Sequence, residues 1–363
     1  MSDVIALIFD FDDTLASDST SGFLDSIGVD TASFWKEEVD PLLFQQDWDP
    51  VPAYLYKMIE LSRQGRHGLI TQQRLKDWGA RLDLHDGVST LFQRLRAAVR
   101  AEHPQVQLEF YLISSGIGDV VRATPIAHEF TEIWASEFVY GDDGGIAFPR
   151  RVVSFTDKTR YLFHIQKGII GRDFRNKPFE VNRKVPEDRL RIPFDQMVFV
   201  GDGYTDIPCF SLIRRAGGFA FGVWDPKHRD KRSRAWGFIE EGRVSNLNQA
   251  RYDEQAELYQ WLEEAVTSLA GRIALKSRVY RGGPGHAGRA RGGPALDRAG
   301  RPIHDPGPGT GPGGVRHRRG AGGRAGRLCP GRHPGARLQP HHHRPRPDRA
   351  RRDRRLARRR PPA

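Results

Sequence analysis

The sequence predicts an α/β protein: a parallel sheet with helices on both faces. Three observations predict it. Apolar runs stand at 4–9, 108–113 (interrupted only by Glu109) and 197–200, and such runs read as strands buried on both faces. Segments with apolar residues at helical spacing separate them. Each run also ends in polar or acidic residues: Asp10 and Asp12, Ser114, and Asp202 with Asp206. In open parallel sheets, ligands bind at the carboxyl ends of the strands. Three polar clusters far apart in sequence are therefore expected to converge on one edge.

The elements follow in order. The first strand, 4–9, runs straight into Asp10, Asp12, Asp13 and Thr14. Grouping three carboxylates at the end of a buried strand is costly unless positive charge compensates. Residues from about 16 to 85 read as mostly helical. Phe23, Leu24 and Ile27 recur at helical spacing, as do Leu55, Met58 and Ile59, while Trp35, Trp48 and Trp78 supply bulk for a small separate core. Val88, Leu91, Phe92, Leu95 and Val99 mark an amphipathic helix, with Asp86 and Gly87 before it as hinge and cap. The second strand ends in Ser114, Ser115 and Gly116.

A third strand is expected at Ile133, Trp134 and Ala135, and residues 142–145 (Asp-Asp-Gly-Gly) read as a hairpin turn. A helix beginning near Lys158 would bury Tyr161, Leu162 and Ile165. Residues 172–194 are polar and carry Pro178, Pro186 and Pro193, so they read as an insertion or long loop. The strand at 197–200 ends in Gly201, Asp202, Gly203, Tyr204, Thr205 and Asp206. A further strand is expected at Phe219, Ala220 and Phe221. The last helix is expected from Asp253, as N-cap, to Leu269, burying Leu258, Trp261, Leu262, Val266 and Leu269.

Composition separates this globular part from a tail. The 363 residues carry a formal net charge of +12. Residues 281–363 hold 22 Arg, no Lys, four Asp and no Glu, a net of +18, which leaves −6 for residues 1–280. Every Phe, Trp and Tyr lies at or before Tyr280. A basic, nucleic-acid-binding globule is thereby excluded. Two cysteines, Cys209 and Cys329, make no disulfide framework and no metal-ligand pattern, as expected in a reducing compartment. No signal peptide and no bilayer-spanning apolar run is read, so the cytoplasm is the expected location.

The clustered carboxylates point to a divalent cation. Asp10, Asp202 and Asp206 supply the hard oxygen ligands that Mg²⁺ prefers. Mg²⁺ commonly divides its coordination between carboxylates and phosphate oxygens, so a phosphorylated substrate follows. Ser114, with the amides of Ser115 and Gly116, could donate to an oxyanion. Lys158 is the best-placed fixed positive charge, with Lys167 as its rival.

In this order the residues resemble the phosphatase side of the haloacid dehalogenase (HAD) superfamily, with its Rossmann-like sheet. The Asp-x-Asp-x-Thr motif matches Asp10, Asp12 and Thr14. A Ser or Thr closing a hydrophobic strand matches Ser114. A Lys opening a helix matches Lys158. Gly-Asp-x-x-x-Asp after a strand matches Gly201, Asp202 and Asp206. The resemblance covers roughly residues 3–225. It implies Asp10 as nucleophile, forming an aspartyl-phosphate, and Asp12 as general acid and then base. It implies that Thr14 orients Asp12, and that Ser114 and Lys158 hold the phosphoryl group. Asp10, the Asp12 carbonyl, Asp202 and Asp206 would bind Mg²⁺. Asp12 also argues against carbon–halogen chemistry, because dehalogenating members lack an Asp there.

The segment 16–85 looks like a helical cap inserted after the first strand, as in phosphoserine-phosphatase-like members. The core would then be 1–15 with 86–275, and the substrate a small phosphorylated metabolite. Three positions depart from the phosphoserine phosphatase pattern: Ser19 stands where that family reads its substrate with an acidic residue, Thr205 replaces Asn, and Ser115 replaces Gly. A phosphotransferase using the same motifs is the alternative enzyme. An alternative of another class is a nucleic-acid-binding protein acting through the tail.

That tail, 276–363, is expected to be disordered. Of its residues 281–363, 63 of 83 are Arg, Gly, Pro or Ala. Such a segment cannot bury enough surface to offset its ordering entropy. A genuine arginine/glycine-rich arm would bind phosphates. A reading frame slipped near residue 275 would give the same composition, and the abrupt loss of Lys and Glu favours that explanation.

Overall fold

The computed structural model describes residues 2–227, 237 and 239–278. Seven strands form one sheet in the order β4-β3-β2-β1-β5-β6-β7. They are β1 Val4–Phe9, β2 Gln107–Ile117, β3 Glu132–Tyr140, β4 Ile146–Arg151, β5 Met197–Gly201, β6 Phe219–Trp224 and β7 Asn246–Gln249. All pairings are parallel except β3–β4, an antiparallel hairpin closed between Gly141 and Gly145. The short polar strand β7 escapes sequence reading because it lacks an apolar run; it is recruited by pairing to β6.

Central β1 shows why its run is uninterrupted. Ile5, Leu7 and Phe9 face one core, under the helices Val88–Glu102 and Glu257–Arg278. Ala6 and Ile8 face the other, under Phe155–Lys167 and Ile207–Arg215. Side chains alternate along a strand, so a strand covered on both faces has no position for a polar residue. Gly87 is the N-cap of Val88–Glu102 at φ +82°, and a Cβ there would stand 2.2 Å from the Tyr252 carbonyl carbon. Only glycine suits that junction.

Between β1 and β2 lie the helices Ser19–Ser26, Asp40–Gln46, Pro50–Gln64 and Gln72–Gly79, with a π-helical turn at Phe34–Val39. Phe23, Leu24, Leu55, Met58 and Ile59 form a third core there. It is not self-contained, because Ile117, Val120, Phe138 and Ile146 join it. Ile146 N donates to the Ile70 carbonyl at 2.9 Å, fixing the segment to the hairpin. Trp48 is 36% exposed rather than core, and stacks obliquely on Tyr56. Trp35 and Trp78 are half-buried, because each indole N–H reaches a polar partner, Ser21 Oγ and the Ser19 carbonyl.

The expected long loop at 172–194 contains short 3₁₀ turns at Arg172–Phe174, Glu180–Asn182 and Glu187–Arg189. The last helix starts later and runs further than its apolar stripe indicates, over Glu257–Arg278. Asp253 precedes it and pairs with Arg251 instead of capping. Ala270, Ile273 and Ala274 extend its buried face beyond Leu269, Ala265 joins it earlier, and Trp261 is 42% exposed. Alanine favours helix but is small, so its stripe is faint in sequence. Among the described residues no helix is long and apolar enough to cross a membrane. Residues 279–363, where most of the tail expectation falls, lie outside the described residues.

Candidate active site

Asp10 is the first residue beyond β1, and its amide donates to the Val200 carbonyl of β5 at 2.9 Å. The chain then turns tightly: Thr14 N and Leu15 N both donate to the Phe11 carbonyl, and Asp13 takes φ +55°. Aspartate tolerates the left-handed region better than most residues. Within this turn Asp10 Oδ1 accepts from Phe11 N at 2.8 Å, and Asp12 Oδ1 accepts from Ser19 N at 2.7 Å. The two carboxylates are thus held by separate donors.

Lys158 lies near the start of the helix Phe155–Lys167 and is fully buried. Its Nζ stands 2.8 Å from Asp10 Oδ2 and 2.7 Å from Asp206 Oδ1. Lys167, on the same helix, points elsewhere and donates to the Val181 and Arg183 carbonyls. Asp206 is fully buried in a 3₁₀ turn, Tyr204–Asp206, and also accepts from Gly203 N. A Cβ on Gly201 would approach the Asp206 carboxylate to 2.5 Å, so the glycine makes room for the acid.

Carboxylate oxygens of Asp10, Asp202 and Asp206 all lie within 4.8 Å of one another. Burial raises Asp10 to about 7, Lys158 only partly opposing it while Asp206 adds to the rise. Burial, with the charges of Asp10, Asp13 and Asp206, raises Asp202 well above the usual carboxylate range. Burial and the Asp18 charge raise Asp12 to about 8, against the hydrogen bond from Ser19. Burial works against the Lys158 ammonium, but Asp10 and Asp206 outweigh it and hold it charged. One lysine thus faces several acids. A hard divalent cation fits the remaining imbalance, since the three clustered donors are all carboxylate oxygens.

The other expected residues are gathered here too. Ser114 is buried on β2, and its Oγ accepts from Gly116 N at 2.9 Å. That amide is therefore turned back on Ser114. A Cβ on Gly116 would stand 2.3 Å from Asp12 Oδ2, so residue 116 must lack a side chain for Asp12 to sit where it does. The Ser115 carbonyl accepts from Tyr54 Oη (2.7 Å) and Ser136 Oγ (2.8 Å). Thr14 is buried with its Oγ1 unpartnered. It does not hold Asp12 through a hydrogen bond; the Ser19 amide does.

Ser19, Tyr54 and Asp18 are residues whose part in the site the sequence conceals. Ser19 acts through its backbone, which no side-chain pattern reveals. Tyr54 sits within an apolar helical stripe and reads as core. Asp18 caps Ser19–Ser26, accepting from Thr20 N and Ser21 N, and acts on Asp12 only through its charge.

The family model of haloacid dehalogenase-like hydrolases matches residues 7–211, more than half of the chain. The chain belongs to that family. The match spans the Asp10–Thr14 turn, Ser114, Lys158 and the 201–206 segment, so the HAD assignment includes every residue gathered above. An uncharacterized protein of Borreliella burgdorferi is 27% identical over 285 residues, covering 72% of this chain and 96% of its own. A HAD family hydrolase from Salmonella enterica serovar Typhi has 13% identity and a TM-score of 0.43, over 63% of this chain and 65% of that one. A substrate-bound phosphoserine phosphatase has 14% identity and a TM-score of 0.44, over 72% of this chain and 97% of that one.

Proposed function

We propose that this HAD hydrolase is a Mg²⁺-dependent phosphomonoesterase acting on a small phosphorylated metabolite in the cytoplasm. The observation that carries the reading is one buried lysine ion-paired to Asp10 and Asp206, with Asp202 in the same oxygen cluster and Asp12 in the same turn as Asp10. Asp10, Asp202, Asp206 and the Asp12 carbonyl would hold the ion. When bound, Mg²⁺ supplies charge neutralisation for the substrate's phosphoryl oxygens.

The chain's own residues do the rest. Asp10 attacks phosphorus, forming an O–P bond as the ester P–O bond breaks. Asp12 gives its proton to the departing alkoxide oxygen, which leaves as the alcohol. Asp12, now ionised, takes a proton from water as that water attacks the aspartyl-phosphate. Asp10 is released as carboxylate, with inorganic phosphate as the second product. Lys158 and Ser114 hold the phosphoryl group, with Thr14, Ser115 and Gly116 around it.

In this reading the helices between Ser19 and Gly79 are a cap that excludes water and selects the organic group. The test is phosphate release from a panel of small phosphomonoesters, with and without Mg²⁺, by the native chain and Asp10→Asn. Mg²⁺-dependent turnover abolished by Asp10→Asn is expected. Turnover that survives Asp10→Asn would falsify the mechanism.

A further inference from the structure

A second cleft, of about 920 Å³, lies between β3, the end of β4, the helix Phe155–Lys167 and the segment 169–178. Its lining is unlike that of the carboxylate site. Arg122, Arg150 and Arg151 converge on one buried acid, Glu137, at 2.5, 2.5 and 3.2 Å. Arg160, Arg175 and Lys177 line the same cleft.

These cations are not matched by acids. Glu137 is one charge among three guanidinium groups. Glu132 already accepts from Gly171 N at 2.8 Å, and Asp157 stands 3.7 Å from Arg160. Six basic residues thus face three acids across the cleft. Arg150 and Arg151 each give Glu137 one terminal nitrogen and stay accessible, their side chains 66% and 38% exposed. A guanidinium has five N–H donors in a planar fork that matches phosphate oxygens. Trp134 and Tyr161, also in the lining, stack at 5.0 Å, and Arg160 lies 4.7 Å over the Tyr161 ring. The volume is that of a small-molecule site, too large for a single phosphate.

We propose that this cleft binds a small polyanion carrying two or more phosphate groups, at a site separate from the catalytic carboxylates. The occupant's oxygens take the donors that Glu137 leaves free on Arg122, Arg150 and Arg151, and the 169–178 segment closes on it through Arg175 and Lys177. The helix Phe155–Lys167 serves both sites, with Lys158 on the carboxylates and Arg160 on the cleft.

The experiment is hydrogen exchange, resolved by peptide, on the full chain with millimolar inorganic triphosphate and no divalent cation. Resolution by peptide separates the cleft from the arginine-rich 281–363. Slowed exchange is expected across 148–152 and 169–178. R150Q/R151Q should weaken the apparent affinity there by about tenfold or more, the scale of losing charge-assisted hydrogen bonds. R175Q/K177Q leaves the Glu137 pairs intact and should also weaken it, whereas Asp10→Asn should not. The proposal is overturned if protection is confined to 281–363 or to the carboxylate site, or if both double variants keep full protection in the cleft.

Discussion

Asp12 is held by the Ser19 amide and has room for its carboxylate only because residue 116 is glycine. That space makes a sharp prediction. Gly116→Ala would drive a methyl group into the Asp12 carboxylate. It should lower kcat about 100-fold through misplacement of the acid, with little change in Tm. Steady-state kinetics beside a thermal melt check it; equal losses in stability and activity would point to unfolding instead. The acid cluster makes another. Asp10 is raised by burial and by the Asp206 charge, and Asp202 by burial and by the charges of Asp10, Asp13 and Asp206, so a divalent cation should stabilise the fold. Mg²⁺ is expected to raise Tm in the native chain, EDTA to reverse it, and Asp202→Asn to abolish the increment.

The β3–β4 hairpin is fastened by Glu137 of β3, which meets Arg150 and Arg151 of β4 and Arg122 beyond β2. Burial alone would raise the Glu137 carboxyl, but the three arginines outweigh it and hold it below its ordinary value. A depressed carboxyl stabilises the folded state above its unfolded pKa, and that contribution is lost as pH falls through the folded pKa. Glu137→Gln should therefore be less stable than the native chain at pH 7, and the gap should narrow steadily as the pH drops below about 4.5, the ordinary glutamate range. Urea titrations of both proteins across that range measure it. A gap independent of pH would show that packing, not charge, sets the effect.

Across the molecule, the described cores are complete without the arginine-rich segment, since the final helix closes its stripe at Ala274. A chain ended at Arg278 is predicted to keep both its Tm and the phosphate-release kinetics proposed for the native chain. The same truncation should remove any salt-sensitive nucleic-acid binding, because residues 1–280 carry a net −6. Loss of phosphatase activity on truncation, with the melt unchanged, would bring the tail into the function.

Read alone, the sequence determined the α/β class and the main strands along the chain, and it pointed to the polar residues at three strand ends and to Lys158 on a helix. Those features are written locally: a strand covered on both faces must be apolar throughout, and a carboxylate at its end is conspicuous. The tertiary structure decided what depends on direction and distance. Lys158 rather than Lys167 meets the acids, because a nine-residue step along one helix turns the side chain away from the sheet edge. The Ser19 amide, not Thr14, holds Asp12, because a backbone donor leaves no mark in residue type. The helical segment shares its core with the β3–β4 hairpin, because contacts between residues far apart in sequence follow from packing and not from periodicity.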